Sequence, residues 1–153
     1  MVKLFVILLV AATLAGCADS GNAIDESGPQ PLACTTPTDP APTLGTTFNV
    51  RFGDQSTIAG EGLSLTFEEL VGDGRCPAGM MCLIAGDAQV VIRVVDREHA
   101  PAALSLSTNS LLSTEGSYQG YDVRLVQVSP YPENGRPATP EADYCVQLTV
   151  THP

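Results

Sequence analysis

The chain has no tryptophan, two histidines and a single lysine, Lys3. Each scarcity excludes something. With aromatics at 5% of residues and no tryptophan, a core must be filled by Val, Leu and Ile, and the immunoglobulin hallmark of a Trp packed on an inter-sheet disulfide is missing. His99 and His152 alone leave imidazole chemistry little to work with; one sits in the charged stretch Asp96-Arg97-Glu98-His99, the other beside the last residue, and both read as solvated surface. Positive charge is scarce: 7 Lys and Arg stand against 17 Asp and Glu, a net charge of −10. Such a surface repels phosphate backbones and anionic lipid, which excludes nucleic acid as a partner. Long apolar runs are also scarce. The one from Leu4 to Leu14 falls well short of the roughly 20 residues a membrane-spanning helix needs. There is no nucleophile elbow, phosphate-cradling glycine loop or spaced set of His and carboxylate ligands, so an enzyme is disfavoured and no cofactor or metal is expected.

What is present begins with Lys3, the apolar run, and the small residues Ala15 and Gly16 before Cys17, the layout of a secretory signal. Leu14-Ala15-Gly16-Cys17 resembles the bacterial lipobox, with an aliphatic residue three before the cysteine and two small ones between. The resemblance implies that residues 1–16 are a lipoprotein signal peptide, cut between Gly16 and Cys17, and that Cys17 carries acyl chains. A single chain holds a protein only marginally, whereas two or three keep it on the membrane. The implied location is the cell envelope. Ala18, rather than Asp, follows the cysteine, which by the same resemblance favours the outer membrane in a diderm host. Loss of the signal removes Lys3, so attachment must come from the acyl chains and not from a basic patch.

With Cys17 lipidated, Cys34, Cys76, Cys82 and Cys145 remain. An even number in an oxidising compartment reads as two disulfides. Of the three pairings, Cys76–Cys82 with Cys34–Cys145 is expected, because the first two are close in sequence and flanked by turn residues, and the others then pair by default.

Residues 17–45 are rich in Pro, Thr, Ser, Gly and Asp without hydrophobic period, and read as the lipidated terminus and a tether. Residues 46–153 read as a β domain. Phe48, Val50 and Phe52 alternate with polar residues; Ile58 marks a short second strand; Leu63, Leu65 and Phe67 a third. Ala88, Val90, Ile92 and Val94 alternate with a second partly apolar set, which predicts a central strand. Leu104 and Leu106 follow, then Tyr121, Val123 and Leu125, where the phase slips to Val126 and Val128 and predicts a bulge. Tyr144, Val146, Leu148 and Val150 close the series, with Cys145 on the outward face. About seven short strands with almost no helical period predict an all-β, antiparallel two-layer sandwich, loosely immunoglobulin-like, or a partly open barrel, expected to be monomeric.

The most distinctive segment is Arg75-Cys76-Pro77-Ala78-Gly79-Met80-Met81-Cys82-Leu83-Ile84-Ala85-Gly86. It resembles the Arg-Cys-Pro, four residues, Cys, two residues, Ala-Gly pattern of small exported bacterial domains of unknown function, although Ile84 stands where those proteins commonly carry Trp. The resemblance brings no activity with it. Pro77, Gly79 and a closing disulfide make a stiff loop, and stiffness lowers the ordering cost of binding a partner. Arg75, Pro77, Met80 and Met81 are therefore the candidate recognition residues, against the plainer reading of a staple between strands.

Three further chemistries have candidate residues in the sequence. A Cu(I) site from Cys76, Cys82, Met80 and Met81 is set aside because disulfide sulfur ligates poorly. Asp54, Asp73, Asp87 and Asp96 could offer oxygen to calcium, but turns favour Asp for backbone reasons. Glu68 and Glu69 should diverge on a strand unless a bulge intervenes. The expectation is a membrane-anchored envelope lipoprotein with a noncatalytic binding or structural β domain. An envelope or extracellular protein is its potential partner. The alternatives are a disulfide-loop inhibitor or capture module and a hydrolase with a dispersed site.

Overall fold

The computed structural model describes Cys34 and residues 41–152. The expected signal peptide, the cut after Gly16, the acylated Cys17 and most of the tether lie outside the described residues. The described chain forms eight strands: β1 (Thr47–Arg51), β2 (Gln55–Thr57), β3 (Ser64–Asp73), β4 (Ala88–Val95), β5 (Ala102–Ser107), β6 (Glu115–Tyr118), β7 (Tyr121–Ser129) and β8 (Cys145–Thr151). They make two four-stranded antiparallel sheets, ordered β1-β8-β7-β6 and β2-β3-β4-β5. The all-β sandwich expected from the sequence is the observed fold. No helix among the described residues is long and apolar enough to cross a membrane.

Alternation decides which side chains meet between the sheets. Leu65 and Phe67 of β3, Ala88, Val90, Ile92 and Val94 of β4, Val123 of β7, and Val146, Leu148 and Val150 of β8 are fully buried. β4 is central, flanked by β3 and β5. Phe52 meets Phe67 edge-to-face at 5.3 Å between centroids, in a core that is mostly aliphatic but also takes in Tyr118 and Tyr144.

Three register shifts alter the simple period, one in β7 and two in β3. In β7 the register shifts between Leu125 and Gln127, as the phase slip predicts. The extra residue is Val126, which is 49% exposed, so Val126 does not join the core as its apolar character suggested; Val128 does. In β3 one shift falls between Leu70 and Gly72 and another between Phe67 and Glu69, which leaves Glu68 and Glu69 both exposed, the exception that the strand argument allowed. Glu68 pairs with Arg93 at 3.3 Å. β6 is the strand that alternation missed: Glu-Gly-Ser-Tyr carries one large apolar side chain, Tyr118, which is buried. Contacts to the sandwich also reach back before Thr46, where Leu44 packs against the core and Gly45 N–H donates to the Val150 carbonyl.

The registers sort the connections into two ends. One end gathers the finish of β3, β5 and β7 and the start of β4, β6 and β8. Both expected disulfides form, and both are at this end: Cys76–Cys82, in the β3–β4 loop, and Cys34–Cys145, at the first residue of β8. Cys145 points off the core face as expected, but it is not open to solvent. It is 1% exposed, with Cys34 bonded to it and the Cys34 carbonyl accepting from Arg51 Nη2 at 2.6 Å.

Candidate functional site at the disulfide-loop end

The β3–β4 loop is held at its base by Arg75. Its Nε and Nη2 donate to the two carboxylate oxygens of Asp73 at 2.7 and 2.6 Å, a bidentate clasp. Nη1 donates to the Val128 carbonyl and Nη2 to the Pro130 carbonyl at 2.7 Å, which ties the end of β3 to the end of β7 in the other sheet. The Tyr131 ring lies 4.7 Å from the guanidinium, and the Tyr144 hydroxyl donates to Asp73 Oδ2 at 3.0 Å. Burial alone would raise the Asp73 carboxyl. The hydrogen bonds and charge of Arg75 overcome that and hold it below the usual carboxylate range. Burial, then the bond to Asp73, pushes the Tyr144 phenol up. Arg75 is 7% exposed, so the expectation that it faces a partner is corrected: its donors are spent inside the fold.

Above that base the loop is fastened again. Gly79, at φ +81°, turns the chain so that Met80 N–H reaches the Pro77 carbonyl at 3.0 Å. Ala78 N–H donates to the Pro132 carbonyl at 2.8 Å, joining the loop to the β7–β8 connection. Gly86 passes directly against the Gly74 backbone, so a Cβ there would overlap the Gly74 carbonyl. That close approach gives a physical reason for the glycine in the Ala85-Gly86 pair.

The side chains so displayed are apolar. Met81, Leu83 and Ile84 are 100%, 105% and 83% exposed, and Met80 is half exposed. Pro77 is half-buried and shapes the loop rather than presenting itself. Beside it, the β5–β6 loop exposes Leu111 and Leu112. That loop is shaped by Asn109, whose side chain accepts from Leu111 N–H at 3.0 Å, and anchored to the start of β4 by Thr108 Oγ1, which accepts from Ala88 N–H at 2.9 Å. Ser107 Oγ donates to Asp87 at 2.7 Å. Residues 76–86 and 108–114 contain no charged side chain. Met80 and Met81 were foreseen as display residues; Leu83, Ile84, Leu111 and Leu112 were not, and the signal that could have found them is this neutrality in an otherwise acidic chain.

The opposite end is polar. A cleft of ≈ 620 Å³ there is lined by residues including Glu61, Asp96, His99, Tyr121 and His152. His99 Nδ1 lies 2.7 Å from Asp96 Oδ2, and Asp96 Oδ1 accepts from the Glu98 and His99 N–H groups. Partial loss of solvent would raise the Asp96 carboxyl, and these hydrogen bonds hold it low instead. Tyr121 donates to Glu61 Oε2 at 2.8 Å, a bond that, with some loss of solvent, raises its phenol, and it meets His152 edge-to-face. Glu68 and Glu69, opposite the middle of β4, are not brought to His99.

Among the described residues no group of three or more His, Cys, Asp or Glu is placed to hold a metal ion. Asp73, Asp87 and Asp96 are engaged by Arg75, Ser107 and His99 respectively, and Cys76 and Cys82 are bonded to each other. No protein-family model matches the chain, and no curated protein or solved structure matches it.

Proposed function

We propose that this protein is a lipid-anchored module of the cell envelope, cleaved after Gly16 and acylated at Cys17, whose β domain binds an apolar surface without catalysis. The observation that carries the binding half is the exposure of Met81, inside the ring closed by the Cys76–Cys82 disulfide, and of Leu83 and Ile84 just beyond it, on an uncharged loop clamped at its base by Arg75. Exposed apolar side chains on a stiff support lose little entropy on contact and gain by leaving water. The lipobox residues carry the anchoring half, and the disulfides suit an oxidising compartment outside the cytoplasm.

Metabolic labelling with a fatty-acid probe tests the anchor: the wild-type chain should be labelled and sediment with membranes, and Cys17→Ala should be neither labelled nor retained. Replacing Met81, Leu83 and Ile84 by Ser should abolish loop contacts in the envelope while the melting temperature stays near wild type, because none of the three packs in the core. Unchanged contacts would reduce the loop to a staple.

The His99–Asp96 pair in the polar cleft favours a second reading, hydrolysis by a dispersed site. Turnover of an ester, peptide or glycan substrate, lost in His99→Ala, would establish it in place of the first.

A further inference from the structure

The anchor and the apolar loop meet at one end of the sandwich. Cys145, bonded to Cys34, follows Tyr144, whose hydroxyl reaches the same Asp73 that Arg75 clasps at the base of the loop. The path from Cys17 therefore first meets the domain, through the Cys34–Cys145 bond, at the end that displays Met81, Leu83 and Ile84, before Ala41 lines the polar cleft at the other. Cys17 and Cys34 are 17 residues apart, a contour of at most roughly 60 Å. A contact made by a module already leashed to a surface is intramolecular, so even a weak apolar touch at the leashed end is favoured by a high effective concentration.

The charge pattern selects the surface. The acidic balance of the chain opposes approach to anionic lipid, yet two of the loops at this end, residues 76–86 and 108–114, are neutral; the third, between β7 and β8, carries Glu133, paired with Arg136 at 2.9 Å, and the exposed Glu141 and Asp143. Tips carrying Met81, Leu83, Ile84 and Leu111 have no charge of their own to take into the headgroup boundary, while the charged β7–β8 connection bonded to Ala78 would stay at the polar level of the headgroups. Tyr131, half exposed over Arg75 at the base, has the amphipathic ring suited to the headgroup level. We infer that the disulfide-loop end lies on the zwitterionic bilayer that holds the acyl chains, with the loop tips inserted and the His99 cleft facing away.

This orientation rests on acylation at Cys17, and the test separates the two. The acylated full chain is reconstituted into phosphatidylcholine vesicles, with or without bromine on the lipid chains, and floated. Since the chain has no tryptophan, Leu83→Trp places a single reporter at the tip, Leu111→Trp a second on the neighbouring loop, and Glu98→Trp a third at the opposite end. In brominated vesicles the two tip reporters should lose emission about twofold or more, while the Glu98→Trp reporter changes little. Vesicles that float with the chain while both tip reporters stay unquenched overturn the orientation and leave the anchor standing. A chain that does not float overturns the anchor, and the orientation with it. Tip residues that stay unquenched and crosslink to an envelope protein in cells replace lipid with a protein partner.

Discussion

The hydroxyl of Tyr144 and the guanidinium of Arg75 share one oxygen, Asp73 Oδ2, at 3.0 and 2.6 Å. The residue just before β8, one at the end of β3 and one in the loop beyond it are thereby joined across both sheets beneath the displayed apolar tip.

That shared oxygen gives stability a dependence on pH at both extremes. The Asp73 carboxyl is held below its ordinary value, so its contribution is complete above the ordinary carboxylate range, about pH 4, and is lost as pH falls through the lower native value. Tyr144 and Tyr121 are raised, so theirs is complete below about pH 10 and is lost as pH climbs through the raised native values. Urea midpoints measured against pH should form a plateau between two falling limbs. Asp73→Asn should flatten the acid limb and Tyr144→Phe should shrink the alkaline one.

Arg75→Met leaves the Asp73 carboxylate buried without its cation and strips the Val128 and Pro130 carbonyls of their donor. A loss of about 3–5 kcal/mol in urea unfolding is expected. Adding Asp73→Asn should cost less than the sum of the two single changes, because the second removes the charge the first stranded.

Gly86→Ala forces a Cβ against the Gly74 backbone, which cannot move aside as a side chain would. It should cost about 1–3 kcal/mol or more in thermal unfolding. Gly72→Ala, with nothing within 4 Å of the added atom, should stay within about 0.5 kcal/mol of wild type.

The two disulfides should differ in weight. Cys34 and Cys145 are 111 residues apart and Cys76 and Cys82 only 6, so the chain-entropy model assigns about 5 kcal/mol to the first crosslink and about 2 kcal/mol to the second. Paired Ala substitutions compared by urea unfolding under non-reducing conditions should reproduce that order.

Much of the sandwich was legible because alternation reports burial directly: the inward residues of β4 and β8 are the apolar ones the pattern marks. β6 was not, since Gly116 and Ser117 carry no hydrophobic signal and the strand is held by pairing with β7. Val126 looked like core because an apolar residue beside a bulge cannot be assigned a face from sequence. The disulfide loop was legible as a stiff element, but the role of Arg75 was not. An arginine beside a cysteine reads as surface until the fold brings the Val128 and Pro130 carbonyls to it. Leu83, Ile84, Leu111 and Leu112 were passed over because a short apolar group outside any period does not reveal whether it is covered.

If the displayed loop is a covered contact surface in the envelope, peroxide footprinting of methionine should register the cover. Met81 is fully exposed in the isolated molecule and should oxidise readily to the sulfoxide in the unanchored Cys17→Ala chain. On the membrane-bound wild-type chain Met81 should be protected by about fivefold or more. Equal oxidation rates in the two forms would contradict it.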